Sequence, residues 1–75
     1  MKPIEYFITD KGKKIVDNPK YLEEERTILK ILKNGRKNVY QILNSLKEEG
    51  VETTWYSVEQ KLKLLEKDKL VEEFK

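Results

Sequence analysis

Residues 53–75, TTWYSVEQKLKLLEKDKLVEEFK, decide the fold of this chain. A helical period of about 3.6 residues places the apolar side chains along one line and most polar side chains on or near the opposite side. The apolar line consists of Val58, Leu62 and Leu65, and the polar side of Thr53, Tyr56, Ser57, Gln60, Lys63 and Lys67. The pattern predicts a helix over about residues 53–68, capped by the Thr53 hydroxyl, with one face in the core and one free to contact a ligand.

Short strands are predicted at both ends of the chain. Residues 70–75 carry Leu70, Val71 and Phe74 around two glutamates, which favours a brief, half-buried strand. Residues 4–9 are rich in isoleucine and aromatic side chains and predict another strand. Thr9 can cap a helix from residue 10 to about residue 16, although Gly12 inside that helix costs about 1 kcal/mol relative to alanine.

A further helix is predicted from residue 19 to about residue 33. The run Asp17-Asn18-Pro19 is a helix-start signal, and Asn34-Gly35 is a stop signal that uses the left-handed conformation glycine tolerates. Its buried side is expected to consist of Leu22, Ile28, Leu29 and Leu32.

The next helix is predicted over residues 39–49, capped by Asn38 and ended by Gly50. Its apolar stripe consists of Val39, Ile42, Leu43 and Leu46. Only a short turn separates Gly50 from Thr53, so this helix and the one after it match a helix-turn-helix unit, with Val51 tucked inward.

Composition limits the classes of protein that this chain can represent. Its 75 residues fit one domain, and without cysteine or histidine it has neither a disulfide framework nor the commonest zinc ligand and general base. Ser45 and Ser57 have no histidine to activate them, and no phosphate-binding loop or metal-ligand spacing is present. We therefore expect no catalytic residue, no metal, no cofactor and no enzymatic activity.

Charge and hydropathy suggest where the protein acts. Charged residues, mostly Lys and Glu, make up 40% of the chain, which is typical of proteins from thermophilic organisms. The net charge is only +2, but residues 30–47 carry five bases and no acid. The N-terminus lacks a secretory signal and no segment approaches the roughly 18 apolar residues of a membrane span, so we expect a cytoplasmic protein with no membrane partner.

The chain resembles the winged helix-turn-helix family over about residues 19–75. The likeness rests on ILKILKNG, VYQILNSL and SVEQKLKLLEKDKLV, the last of which is similar to the family pattern V-x-x-x-L-x-x-L-E-x-x-G-L-V. The resemblance implies a mostly α fold with three main helices and a two-stranded wing. Lys69 stands where the family usually has glycine, so either Lys69 is left-handed or the helix ends differently.

The printed sequence ends at Lys75, and we expect the second wing strand to come from the N-terminal segment. The segment YFITDKGKKI looks like the part of the family that comes after the wing. We therefore expect residues 4–9 to pair antiparallel with residues 70–75, within one chain or between two chains.

The resemblance also implies that the last long helix enters the DNA major groove. The residues expected to contact DNA are Thr53, Thr54, Tyr56, Ser57, Gln60, Lys61, Lys63, Arg36 and Lys37. Trp55 lies beside the apolar line, which predicts partial burial, whereas Tyr40 and Tyr56 suit either a phosphate contact or half-buried packing.

Two functions remain open from the sequence. The first is sequence-specific binding of double-stranded DNA by a homodimeric transcriptional regulator of archaeal or viral type. The second is a winged-helix module that binds a protein of a transcription or replication complex, a reading favoured by the low net charge and the acidic C-terminal segment. The basic residues could equally bind RNA. The sequence indicates no target site and no effector, and it does not show whether transcription would be activated or repressed.

Overall fold

The computed structural model describes residues 3–75, which form four helices and a three-stranded antiparallel sheet. In chain order the elements are β1 (Glu5–Ile8), α1 (Asp10–Lys14), α2 (Glu23–Leu32), β2 (Lys37–Asn38), α3 (Val39–Glu48), α4 (Trp55–Lys67) and β3 (Val71–Phe74). The chain is thus a small α/β fold, whereas the sequence predicted a mostly α fold with two strands. The extra strand, β2, has only two residues and exists because it pairs with β1.

The predicted pairing of the two terminal strands is confirmed, and it forms within one chain. β1 lies between β2 and β3, and Glu5 is opposite Phe74 while Ile8 is opposite Val71. The amide of Thr9 continues the ladder by donating to the Leu70 carbonyl at 3.0 Å. Tyr6 and Ile8 point inward and are buried, since alternate side chains of a strand face opposite sides of the sheet.

The predicted helix faces form the core. The apolar line of α4, Val58, Leu62 and Leu65, is completely buried or nearly so. It packs with residues from the other elements, including Ile28, Leu29, Leu32, Ile42, Leu46, Leu70 and Val71. Leu43, predicted in the apolar stripe of α3, and Val51, predicted to be tucked inward, are both half-buried against this cluster.

The predicted start of α2 is wrong by four residues. The predicted burial of Leu22 is wrong as well. Asn18 forms a tight turn instead of a helix cap: its side-chain oxygen accepts from the Lys20 amide at 2.9 Å. The helix begins at Glu23, where the Glu25 carboxylate accepts from the Leu22 amide at 2.8 Å. Leu22 therefore precedes the helix and is 62% exposed.

The end of α4 resolves the question raised by Lys69. Lys69 adopts a left-handed conformation with φ 63°, its amide donates to the Glu66 carbonyl, and the Leu70 amide donates to the Leu65 carbonyl. This pair of bonds is the helix ending that glycine usually supplies. The chain thereby turns directly into β3.

Candidate nucleic-acid interface

The α3–turn–α4 unit positions most of the predicted DNA-binding residues. Gly50, with φ 79°, ends α3, and the Val51 amide donates to the Leu46 carbonyl at 2.9 Å. Thr54 caps α4, because its Oγ1 accepts from the Ser57 amide at 3.1 Å. The prediction of Thr53 as cap is wrong by one residue, since either threonine could cap and only the turn geometry selects between them.

One face of α4 stays open to solvent. Val58, Leu62 and Leu65 occupy the buried side, and the side opposite them carries what we term the open stripe, made of Tyr56, Gln60, Lys63 and Lys67. Tyr56 is 65% exposed, and Gln60 is half-buried. Lys63 is exposed, and its Nζ lies 3.6 Å from a carboxylate oxygen of Glu59, one turn earlier. The stripe thus combines two lysines, an amide and a phenol without an acidic side chain.

Lys61 was predicted to contact DNA, but it lies on another side of α4. Its Nζ is 3.5 Å from the Glu24 carboxylate on α2, and its side chain is only 19% exposed. One residue rotates a helix by about 100°, which turns Lys61 from the open stripe toward α2. Lys61 therefore joins two helices, and Ser57 lies half-buried on the same flank.

Arg36 and Lys37 belong to the sheet and not to the helix-turn-helix unit. The Arg36 Nε lies 2.9 Å from Glu5 Oε1, and its guanidinium carbon lies 4.0 Å from the centre of the Phe74 ring. Glu5 and Phe74 are partners in the sheet and alternate with the inward-pointing Tyr6, so Arg36 covers the outer sheet face. Lys37, opposite Tyr6 in β2, is half-buried.

The exposed aromatic residues form a feature that the sequence reading did not predict. The ring centroids of Trp55 and Tyr40 lie 6.3 Å apart, and the rings are tilted by 36°. They open onto a cavity of about 200 Å³, which we term the aromatic groove and define by Ile4, Tyr6, Val39, Tyr40, Trp55 and Glu59. Trp55 remains 40% exposed, and its neighbour is a tyrosine of α3. The signal in the sequence was that Tyr40 belonged to none of the predicted apolar stripes.

Two tyrosines have shifted pKa values. The pKa of Tyr6 is raised above its ordinary value by burial and then by the negative charges of Glu73, Glu66 and Glu59. The pKa of Tyr21 is also raised, first by desolvation and then by Asp68, whose carboxylate accepts from the phenol at 3.5 Å. Glu59 and Glu66 of α4 thus lie close enough to Tyr6 to affect its pKa, whereas the open stripe itself carries no acidic side chain.

Residues 3–75 offer neither of two other functional features. No group of three or more acidic side chains is placed where it could hold a metal ion. No helix in this part of the chain has the length and apolarity needed to cross a membrane. Comparisons with protein-family models, curated proteins and solved structures found no significant match to the chain.

Proposed function

We propose that this protein binds double-stranded DNA sequence-specifically, with α4 in the major groove, and acts as a transcriptional regulator. The observation that carries the proposal is the open stripe of α4, held rigidly by a buried opposite face. A helix of 13 residues is about 20 Å long, and the major groove, about 12 Å wide, admits an α-helix.

The surrounding architecture supports the same proposal. α3 and α4 are joined by a short turn with Val51 packed inward, and β3 follows α4 and pairs with β1. This arrangement is compatible with a winged helix in which the N-terminal strand supplies the second wing strand. The sheet end at Glu5 and Phe74, with Arg36 across it, would take the place of the wing tip.

Each side chain of the open stripe has a plausible role on DNA. Gln60 can form two hydrogen bonds with adenine, and Tyr56 can donate a hydrogen bond to a phosphate. Lys63 and Lys67 lie further along α4 and suit the flanking phosphates. Thr54 is less available, since its hydroxyl already caps the helix.

The test compares variants in a duplex-binding titration at several salt concentrations. Each phosphate contact contributes about −0.9 to the slope of log K against log salt, so Lys63→Gln with Lys67→Gln should flatten the slope by about two. Lys33→Gln, an exposed lysine at the end of α2, is the control for lost charge and should change the slope little. Gln60→Ala should reduce discrimination between sequences while leaving the slope intact.

Two results would contradict the proposal. One is that duplex of random sequence does not bind even at low salt, and the other is that the Lys63 and Lys67 variants bind as tightly as the unchanged protein. Thermal unfolding of each variant should match that of the parent, because all of these side chains lie outside the core.

A homodimer, which would read two half-sites about one helical turn apart, is part of the same proposal and is tested by sedimentation with and without duplex.

A protein-binding module is the second candidate, and one observation favours it. The aromatic groove exposes apolar surface beside carboxylates, which is a poor setting for phosphate and a suitable one for a protein ligand. The two functions use different sides of α4 and are separable by experiment.

A further inference from the structure

The aromatic groove is enclosed by three rings on three different elements. Tyr6 lies on β1, Tyr40 on α3 and Trp55 at the start of α4, and the aliphatic side chains Ile4 and Val39 complete the wall. Each ring is set by its own element: Tyr6 by the sheet pairing, Tyr40 by the capped first turn of α3, and Trp55 by the capped first turn of α4. The groove is therefore a preformed feature of the fold.

Three of the exposed large hydrophobic side chains, Ile4, Tyr40 and Trp55, lie together at this groove. Ile4 is 52% exposed and Tyr40 is 59% exposed, although the apolar line of α4 a few residues away is fully buried. An apolar area of this kind is normally either covered or used, and grouped aromatic side chains are typical of binding sites. The size of the groove, about 200 Å³, suits one side chain rather than a whole helix.

The charge around the groove selects the kind of side chain. Glu59 lines it, with its side chain 25% exposed and one oxygen 3.6 Å from the Lys63 ammonium. Glu73 and Glu66 do not line the groove, but after burial their charges help to raise the pKa of Tyr6, which does line it. A phosphate or a carboxylate would be repelled there, whereas a cation would be attracted.

We propose that the aromatic groove binds the side chain of an arginine or lysine on a basic segment of a partner protein. The cationic head would lie against the faces of Tyr40 and Trp55, where a cation is attracted by the ring quadrupole. Glu59 would pair with it, and the aliphatic stem would cover Ile4 and Val39. This binding site is separate from the proposed DNA-binding surface. Trp55 of the groove and Tyr56 of the open stripe point about 100° apart around α4.

The experiment uses the full chain and two tripeptide probes, acetyl-Gly-Arg-Gly-amide and its norleucine counterpart. Trp55 is the single tryptophan, so its indole N–H resonance and its fluorescence report on the groove without ambiguity. We expect the arginine probe to shift the Trp55 indole resonance together with the amides of Tyr40 and Glu59. The norleucine probe has a similar apolar stem without the charge and should bind about fivefold more weakly.

Variants separate the cationic contact from simple apolar packing. Tyr40→Leu keeps an apolar wall but removes a ring face, and Glu59→Gln removes the charge; each should weaken the arginine probe by about two- to fivefold. The matched controls are Tyr56→Leu, an exposed ring on the open stripe, and Glu72→Gln, an exposed carboxylate of β3. Both controls should bind the probe as the parent does.

Several outcomes would overturn the proposal. These are equal binding of the norleucine probe, shifts that avoid Trp55, and no shift at millimolar probe. Oligothymidine that shifts the Trp55 indole resonance more strongly than the arginine probe at the same salt would assign the groove to nucleic acid. Trp55 shifts on dilution of the protein alone would assign it to a second copy. Absence of duplex binding by the parent protein would leave the result with the arginine probe unchanged, so the two proposals fail separately.

Discussion

The two ends of the β1–β3 pair are held together by different kinds of contact. At the body end, defined by Thr9 and Leu70, the contacts are between backbone atoms. The Thr9 amide donates to the Leu70 carbonyl, and α1 packs closely on that carbonyl through Gly12. At the tip end, defined by Glu5 and Phe74, the additional contacts come from the exposed side chain of Arg36. The body end should therefore determine whether the terminal strands pair, while the tip end can change its side chains at little cost to folding.

The largest effect is expected from Gly12→Ala. Alanine would normally stabilise a helix position by about 1 kcal/mol relative to glycine, but here its Cβ would collide with the Leu70 carbonyl oxygen and with Ile8 Cγ1. Overpacking against backbone should dominate and destabilise the protein by about 3 kcal/mol, measured by urea unfolding. Lys13→Ala, an exposed change in the same helix, is the control. A gain in stability for Gly12→Ala would show that the body end can move apart.

Thr9→Ala should have the next largest effect. The Thr9 hydroxyl accepts from the Gly12 amide at 3.1 Å and donates to the Lys69 carbonyl at 2.7 Å, so one side chain caps α1 and ties it to the start of β3. Loss of such a cap costs about 1–2 kcal/mol. Thr9→Ser keeps the hydroxyl and should retain most of the stability, measured in the same urea titration. Equal losses for both variants would argue that the hydroxyl is unimportant.

The sequence predicted an element correctly where its start signal, its apolar stripe and its stop signal all indicated the same residues. For α3, the Asn38 cap, the apolar stripe and Gly50 all indicate the same helix, and the structure confirms it. For α2, the sequence holds two candidate start signals, Asn18-Pro19 and the pair Leu22 and Glu25. The sequence alone does not decide which of them begins the helix. The strand β2 has no propensity of its own and depends on its partner β1.

The candidate interface was less predictable, because its side chains are placed by contacts distant in sequence. Lys61 is drawn to Glu24 across two helices, and Arg36 to Glu5 and Phe74 at opposite ends of the chain. Helical periodicity does place Tyr56 and Gln60 on an open face, since burial of the opposite face fixes the rotation of α4. Periodicity cannot reveal the aromatic groove, which needs the relative positions of β1, α3 and α4.

Lys69→Gly tests the turn that leads into the body end. A non-glycine residue in the left-handed conformation costs about 1–2 kcal/mol, but glycine also gains entropy in the unfolded chain. We therefore expect a net stabilisation of about 0.5–1 kcal/mol, measured as a rise in urea midpoint. Lys67→Gly removes the same charge within α4 and should destabilise by about 1 kcal/mol instead. Opposite signs for the two variants are the decisive result.

Arg36→Ala tests the tip end and should have a small effect. Its ion pair with Glu5 and its stacking on Phe74 are both solvent-exposed, and exposed contacts of this kind are worth about 0.5 kcal/mol. Arg36→Lys keeps the charge but loses the planar contact, so its effect should be smaller still. A loss above about 2 kcal/mol for Arg36→Ala would remove the distinction between the two ends.

Tyr6→Phe should change the stability of the folded chain only at alkaline pH. The pKa of Tyr6 is raised in the folded chain by burial and by Glu73, Glu66 and Glu59, so the neutral phenol is favoured there relative to the unfolded chain. Below the ordinary pKa of 10.0 the phenol is neutral in both states, and ionisation contributes nothing. As the pH rises through the folded-state pKa, the unfolded chain gains more from losing the proton, and the folded state loses stability.

The measurement for Tyr6→Phe is the melting temperature of both proteins at neutral pH and at several values above pH 10. The parent should lose more stability over the alkaline steps than Tyr6→Phe, since lysine titration and the raised pKa of Tyr21 are common to both. Parallel alkaline profiles would mean that the Tyr6 phenol ionises as easily in the folded chain as in the unfolded one. The phenol would then be more open to water than the 5% exposure of Tyr6 implies.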